Sequence, residues 1–231
     1  MADIKINGAT PSAFYYGGTA ASAVYYGSIK LWESTPAGST VIGGKTYPTC
    51  TLPDGHEWLA VNLDYAWAGL SVPTSGATKV STPQAQYYNN DESTYGWSGL
   101  KYGLLYNNYA VSELETNKAT LCPGWHLPTK AEFDALVAAI GSTNGGKLKS
   151  TTGWTNAGNG TDDYGFTAYP SGYLGTLGWG GITSAFRMWA RIDGASATNA
   201  YVLLLAASTQ EISLSAHTRQ LQYSVRLIKD Y

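Results

Sequence analysis

Between Cys122 and Phe133 the chain reads Cys-Pro-Gly-Trp-His-Leu-Pro-Thr-Lys-Ala-Glu-Phe. Few local structures satisfy this segment. Pro123-Gly124 sets a rigid turn, Trp125 is a large anchor directly behind it, and Thr129-x-x-Glu132 is the reciprocal cap that opens a helix. Phe133, Leu136, Val137 and Ile140 recur at helical spacing and Gly141 stands at the C′ position. A helix over 129–140, packed by Phe133, Leu136 and Ile140, is predicted.

At 231 residues the chain is long enough for one well-buried domain with an appendage or for two small domains. Residues 1–34 read as a separate β module for attachment or oligomerisation. Ala13-Phe14-Tyr15-Tyr16-Gly17-Gly18 recurs as Ala23-Val24-Tyr25-Tyr26-Gly27-Ser28, each a short aromatic strand closed by small residues, and Ile29-Lys30-Leu31-Trp32 alternates like another strand. Such a module is too small to bury a core alone, so it needs the main domain or further copies of the chain, a homotrimer being one option. Residues 35–39 form a small, polar linker, and 40–231 the main domain. There, Val41–Tyr47 carries a hairpin signal around Gly43-Gly44, 68–99 reads as mostly loop, and Tyr102–Ala110 reads as a first helix that packing must hold. Ala200–Leu205, Glu211–Leu214 and Tyr223–Ile228 read as strands, the last one buried. Helices followed by strands give an α+β arrangement.

Net charge is −2 and 13% of residues are charged. No basic face emerges, the densest cluster being Lys147 with Lys149, so nucleic acid is not expected as a partner. No run reaches the ~18 apolar residues of a membrane span, so no membrane insertion is expected, and Met1–Lys5 opens no basic-then-apolar export signal. Aromatic usage is skewed, with 18 Tyr and 8 Trp against 4 Phe. Tyr and Trp carry a polar handle and suit half-wet surfaces such as binding sites.

Four pieces carry a family resemblance: Cys122–Phe133; Leu148-Lys149-Ser150 with Gly153-Trp154; Asn159-Gly160-Thr161-Asp162-Asp163-Tyr164-Gly165-Phe166; and Tyr223-Ser224-Val225-Arg226-Leu227-Ile228-Lys229-Asp230. With Trp58-Leu59-Ala60-Val61-Asn62-Leu63 they resemble the major paralogous domain first noticed in Fibrobacter, over roughly residues 40–231. The resemblance implies a C-type-lectin-like, formylglycine-generating-enzyme-like fold of two helices, short antiparallel strands and long loops. A shorter likeness, Val24–Trp32, is to repeats of phage tail and baseplate proteins, which would make such proteins the partners of residues 1–34.

Candidate chemistry is sparse. His56, His126 and His217 share no metal-ligand spacing, and His126 in the turn motif reads as a structural hydrogen-bonder. No nucleophile elbow, phosphate loop or dinucleotide motif occurs, and no cofactor or metal is expected. The enzyme branch of the resembled superfamily works through late cysteines; here no cysteine follows Cys122 and Leu227 stands where the domain often has Cys. Cys50 and Cys122 could form a bridge or a reduced buried pair. Asp162-Asp163 could bind a cation, or fix their own turn through backbone hydrogen bonds. The expectation is a protein without catalysis.

The layout from Arg187 to Tyr223 resembles the variable proteins of diversity-generating retroelements, in which rewritten Asn codons diversify a C-terminal face. Arg187, Ala190, Arg191, Asp193, Ala206, Ser208, Ser213, Ser215, His217, Thr218 and Leu221 are reachable from such codons; Met188, Trp189, Gln210 and Glu211 are not and should be scaffold. The resemblance implies a ligand face built from the first set, with Met188, Trp189 and Tyr201 beneath. Residue type singles out Tyr173, Trp179, Arg187 and Arg191 as candidate anchors, Trp179 being either exposed among its glycines or folded into the core. The resemblance also implies a phage tail-tip protein that binds a host-surface protein or glycan receptor. A bacterial cell-surface adhesin of the same family is the alternative.

Overall fold

The computed structural model describes residues 38–77, 79–192 and 198–231; among residues 1–37 it describes only the backbone of four strands. The chain divides into two compact units, Met1–Gly38 and Ser39–Tyr231. In the first, β1 (Tyr15–Tyr16) pairs with β2 (Thr19–Ala20), and β3 (Ala23–Tyr26) with β4 (Ile29–Glu33), all antiparallel. Most of the expected linker lies outside the described residues, and Ser39 is already the first residue of the next strand.

The second unit opens with β5 (Ser39–Ile42) and β6 (Lys45–Thr51), joined at Gly43-Gly44, whose φ angles of 56° and 77° suit a primed hairpin turn. β7 (Glu57–Leu59), β8 (Ala85–Gln86) and β9 (Leu105–Asn107) follow, with α1 (Glu92–Tyr95) before β9 and α2 (Asn108–Thr116) and α3 (Lys118–Leu121) after it. Next come β10 (Trp125–His126), α4 (Lys130–Ile140), β11 (Ser171–Gly175), β12 (Gly178–Ile182), β13 (Ala185–Trp189), β14 (Asn199–Ala206), β15 (Ser213–Thr218), β16 (Gln222–Tyr223) and β17 (Ile228–Lys229). They form three antiparallel sheets, ordered β10-β17-β7-β6-β5, β12-β11-β16-β9-β8 and β13-β14-β15.

This overturns the expected α+β, C-type-lectin-like arrangement. Among the described residues the unit is mostly β, and its longest helix has 11 residues. The reason is visible at the expected first helix. Leu104, Leu105 and Tyr106 are buried on every side, a pattern that a strand and a buried helix share. The side chain of Asn107 accepts from the Ala110 amide and so starts the helix only at Asn108. The residues before it pair with β8 and β16. Tyr223–Ile228 is buried as expected but is not one strand, because the chain crosses there from one five-stranded sheet to the other. Between β16 and β17 the Val225 and Leu227 carbonyls accept from the Leu63 and Leu59 amides. The strand expected over Glu211–Leu214 begins instead at Ser213.

α4 carries the predicted cap, Thr129 Oγ1 accepting from the Glu132 amide and Glu132 Oε2 from the Thr129 amide. Its stripe of Phe133, Leu136 and Ile140 is buried, with Phe133 stacked on Trp58 at 6.4 Å. Leu136→Ala should cost about 2–5 kcal/mol of unfolding free energy. A urea titration that shows no loss would refute this packing.

The turn motif closes onto the chain's end. Trp125 and His126 pair with Lys229 and Ile228 across β10 and β17, and the Asp230 amide donates to Gly124. His126 sits between two carboxylates, Nδ1 at 2.6 Å from Asp230 and Nε2 at 2.9 Å from Glu132. Burial lowers its pKa, but the hydrogen bond and charge of Glu132, then of Asp230, outweigh that and raise it. Burial likewise raises Glu132, yet the bonds from His126 and Thr129 bring its pKa down to about 2. The two signs bracket a plateau. The Glu132 contribution is complete above an ordinary carboxylate pKa and is lost as pH falls toward 2; that of His126 is complete below ~6.5 and is lost as pH rises through its raised value. Glu132→Gln should therefore flatten the acid limb by on the order of 2 kcal/mol and bring the neutral-side decline to lower pH. Urea midpoints measured across pH 2.5–8 test it; an acid limb identical to the parent's counts against it.

Arg226 is fully buried. Its Nε donates to Asn62 Oδ1 at 2.9 Å, and Nη2 donates to the Thr167 carbonyl at 2.8 Å. Nη1 donates to the Phe166 carbonyl and, at 3.4 Å, to that of Leu59. Burial pulls its pKa down to about 10, so it remains cationic at neutral pH. Arg226→Lys keeps the charge but cannot reach these acceptors together, and should cost about 3 kcal/mol or more. A lysine variant as stable as the parent in the same titration would show the fork to be dispensable.

Candidate functional site

Gly180 and Gly181 of Gly178-Trp179-Gly180-Gly181 have a local cause. Tyr173 on β11 lies opposite Gly180 on β12, and its ring spreads across Gly180 and Gly181. A Cβ at Gly181 would come within 2.5 Å of that ring, so any side chain there would displace it. β13 is joined edgewise to the chain's end, the Ser224 amide donating to the Arg187 carbonyl and the Trp189 amide to that of Ser224. Arg187 is thereby held beside Tyr223, and β15 brings His217 to the same ring.

The result is an open groove of about 510 Å³ between the β11–β12 hairpin, the β13–β15 sheet and β16, lined in part by Tyr173, Trp179, Arg187, His217, Leu221 and Tyr223. The Arg187 guanidinium stacks on Tyr173 at 3.7 Å from the ring centroid and lies 5.6 Å from that of Tyr223. His217 Nδ1 is 2.5 Å from the Tyr223 hydroxyl and Nε2 is 2.8 Å from Ser215 Oγ. At the hairpin tip Leu177 is fully exposed, and Lys79 Nζ donates to the Thr176 carbonyl.

Ser215, His217 and Tyr223 have the spacing of a nucleophile, a base and an orienting group. Their electrostatics are wrong for that role. Burial pushes the Tyr223 phenol up to about 12, against the opposing pull of Arg187, so the third member is neutral. Burial, then the charge of Arg187, holds the His217 pKa below its usual value. A base of this kind needs an anion behind it to hold the imidazolium, and here a cation stands nearby. What the groove offers is one stacked guanidinium, aromatic faces and bare glycine backbone.

Of the residues selected from sequence, Tyr173, Trp179, Arg187, His217 and Leu221 line this groove. Cross-strand register puts Ala206, Ser213 and Ser215 on the same sheet face as Arg187 and His217, since Ala185 pairs with Ala206, Leu204 with both Arg187 and Ser213, and Val202 with Ser215. Ser208 lies exposed past the end of β14, and Thr218 is exposed on the opposite face. Ala190 is buried at 0%, because its amide donates to Tyr201 and it packs with Phe186 and Met188. Arg191 is not in the groove; its guanidinium pairs with Glu115 of α2 at 2.9 Å. Asp193 lies outside the described residues. Met188 and Trp189 are buried, whereas Tyr201, expected beneath the face, is 39% exposed with Lys130 over its ring.

Sequence reasoning placed Tyr223 in a buried strand and passed over Leu177 and Ala216, and all three line the groove. An apolar residue beside a Gly at a hairpin tip was the available signal for Leu177. Both cysteines are free thiols whose pKa burial raises to about 12. Asp162 fixes its own turn, accepting from the Thr167 amide and hydroxyl at 2.7 Å each. Among the described residues no cluster of His, Cys, Asp and Glu could hold a metal, and no helix is long and apolar enough to cross a membrane.

No curated protein and no solved structure matches the chain. Residues 54–229 match the Fibrobacter succinogenes major domain. That span contains the groove and the four motif pieces except the final Asp230, and the chain therefore belongs to the Fibrobacter succinogenes major domain family.

Proposed function

We propose that this protein is a non-catalytic recognition protein whose ligand seat is the groove around Arg187. The observation that carries the reading is convergence. Tyr173, Trp179, Arg187, His217 and Leu221 were selected from sequence as anchors or exchangeable positions, they come from separate strands and turns, and they line one opening. Arg, Tyr and Trp are the residues that most often supply binding energy. Ala206, Ser213 and Ser215 share the sheet face, so exchanging them would reshape one wall while buried Met188 and Trp189 stay in place. Such a division between fixed support and exchangeable wall suits host recognition at a phage tail tip. The first unit would supply attachment to tail or baseplate proteins. Its two-stranded ribbons are individually marginal in water, which favours association with partners or with further copies as a homotrimer.

Labelled protein applied to a panel of bacterial strains tests the reading. Trp179→Ala should weaken retention on a bound strain by about 2 kcal/mol, some thirtyfold, with an unchanged melting temperature. Equal retention of the parent and Trp179→Ala on every bound strain would remove the groove as the seat, and labelling of Ser215 by a serine-directed fluorophosphonate would remove the non-catalytic reading.

A further inference from the structure

Arg187 makes no ion pair with any described residue. Its Nε is buried without a hydrogen-bond partner, and among the described residues its side chain makes one hydrogen bond, from Nη1 to the Tyr223 hydroxyl at 3.5 Å. That Nε is closed to solvent, so a ligand in the groove would engage the outer Nη1–Nη2 edge of the guanidinium. The guanidinium is also fixed in plane by Tyr173, which leaves its edge donors as the way to engage an acceptor. Paired edge donors on a planar cation match a carboxylate.

The surroundings define the rest of the ligand. Arg187 is the one charged residue among those lining the groove, and His217 stays neutral beside it. Lys79 adds positive charge at the rim through its bond to Thr176. One stacked guanidinium suits a single carboxylate better than a polyphosphate. The remaining wall is the half-buried Trp179 with glycine backbone on either side, and the opening of about 510 Å³ is of small-molecule size. An aromatic plane with hydroxyl groups nearby complements a ring with a C–H face and a polar edge.

We infer that the groove takes a carboxylate-bearing sugar, its carboxylate on the edge of the Arg187 guanidinium and its ring face against Trp179. This rests on the groove being the ligand seat. It is tested on an array that pairs glycans ending in uronic or sialic acids with neutral counterparts of the same linkage, alongside glutamate-rich peptides. The parent should bind at least one acidic glycan about tenfold or more above its neutral counterpart. Arg187→Gln should abolish that preference, Arg187→Lys should keep part of it, and Trp179→Ala should weaken all glycan binding, each with the parent's melting temperature. Acidic and neutral glycans bound alike, lost in Trp179→Ala but kept in Arg187→Gln, would overturn the acidic sugar and leave the groove standing. Glycan binding unchanged in both variants would overturn the groove as well. Binding to no acidic glycan, or equal binding to the peptides, would overturn the sugar assignment.

Discussion

Arg226 is a buried cation held by oxygen dipoles, with no carboxylate in hydrogen-bond range among the described residues. The stacking of chain segments around it follows from that fact. Its donors reach Leu59 and Asn62 behind β7 and Phe166 and Thr167 in the loop before β11. Phe166 and Phe186 lie against the guanidinium at 4.1 and 5.3 Å, which keeps water from it. Asn62 passes the network on, its amide donating to the Tyr102 carbonyl and to Ser224, whose hydroxyl meets Ser171 at 2.8 Å. A buried charge of this kind is tolerable only when every donor is used, so each segment it touches is constrained by the others. The two five-stranded sheets both run through this point, because Arg226 sits on the crossing between β16 and β17.

The same logic explains why separated motif pieces occur together. Trp125-His126 needs Ile228-Lys229 as its strand partner, and His126 needs both Asp230 and the helix-capping Glu132. Lys149, which looked in the sequence like part of a basic cluster, is fully buried. Its ammonium donates to the Ala206 and Thr209 carbonyls at 2.7 and 2.6 Å and so ends β14, and burial lowers its pKa. The pieces read as a family signature are thus mostly supports for one another. Arg226, Lys149 and His126 are satisfied inside the framework, whereas Arg187 forms no ion pair with any described residue.

What was legible in the sequence were features with local causes. The Thr129–Glu132 cap, the 133–136–140 stripe and the Gly43-Gly44 turn need only neighbours within a few residues, and each forms where the pattern put it. The fold class was not legible, because polar side chains were read as loop. Gln84, Gln86 and Gln222 are buried, Gln222 donating to both of the others across β9, and they hold β8 beside β9 at the sheet edge in a stretch whose polarity reads as loop. Long-range satisfaction of amides leaves no periodicity to read. At the site, strand alternation puts Arg187 and Met188 on opposite faces, but it also puts the expected face residue Thr218 on the face opposite His217. Ala190 is buried just past the end of β13 and Tyr201 is exposed beside Lys130 of α4, placements that no sequence period carries.

The Tyr-rich composition also has a structural meaning that extends from the groove. Trp179, Tyr88, Tyr95, Tyr102 and Tyr169 follow one another with ring centroids 5.2–5.9 Å apart, and all but Tyr102 are half-buried. Phenylalanine could not hold these places without leaving apolar edges in water, whereas tyrosine lays its ring on a neighbour and keeps its hydroxyl wet. The framework carries its dry packing on other residues, Phe133, Phe166 and Phe186 among them, all buried around Trp58 and Arg226. Among the described residues, Phe133, Phe166 and Phe186 sit where the network excludes water, while tyrosine serves both this half-solvated row and buried places where its hydroxyl is bonded, as at Tyr47 and Tyr106. The skew toward tyrosine thus follows from rings that pack while their hydroxyls keep a partner or water, down to β11, where Tyr173 stacks on the Arg187 guanidinium.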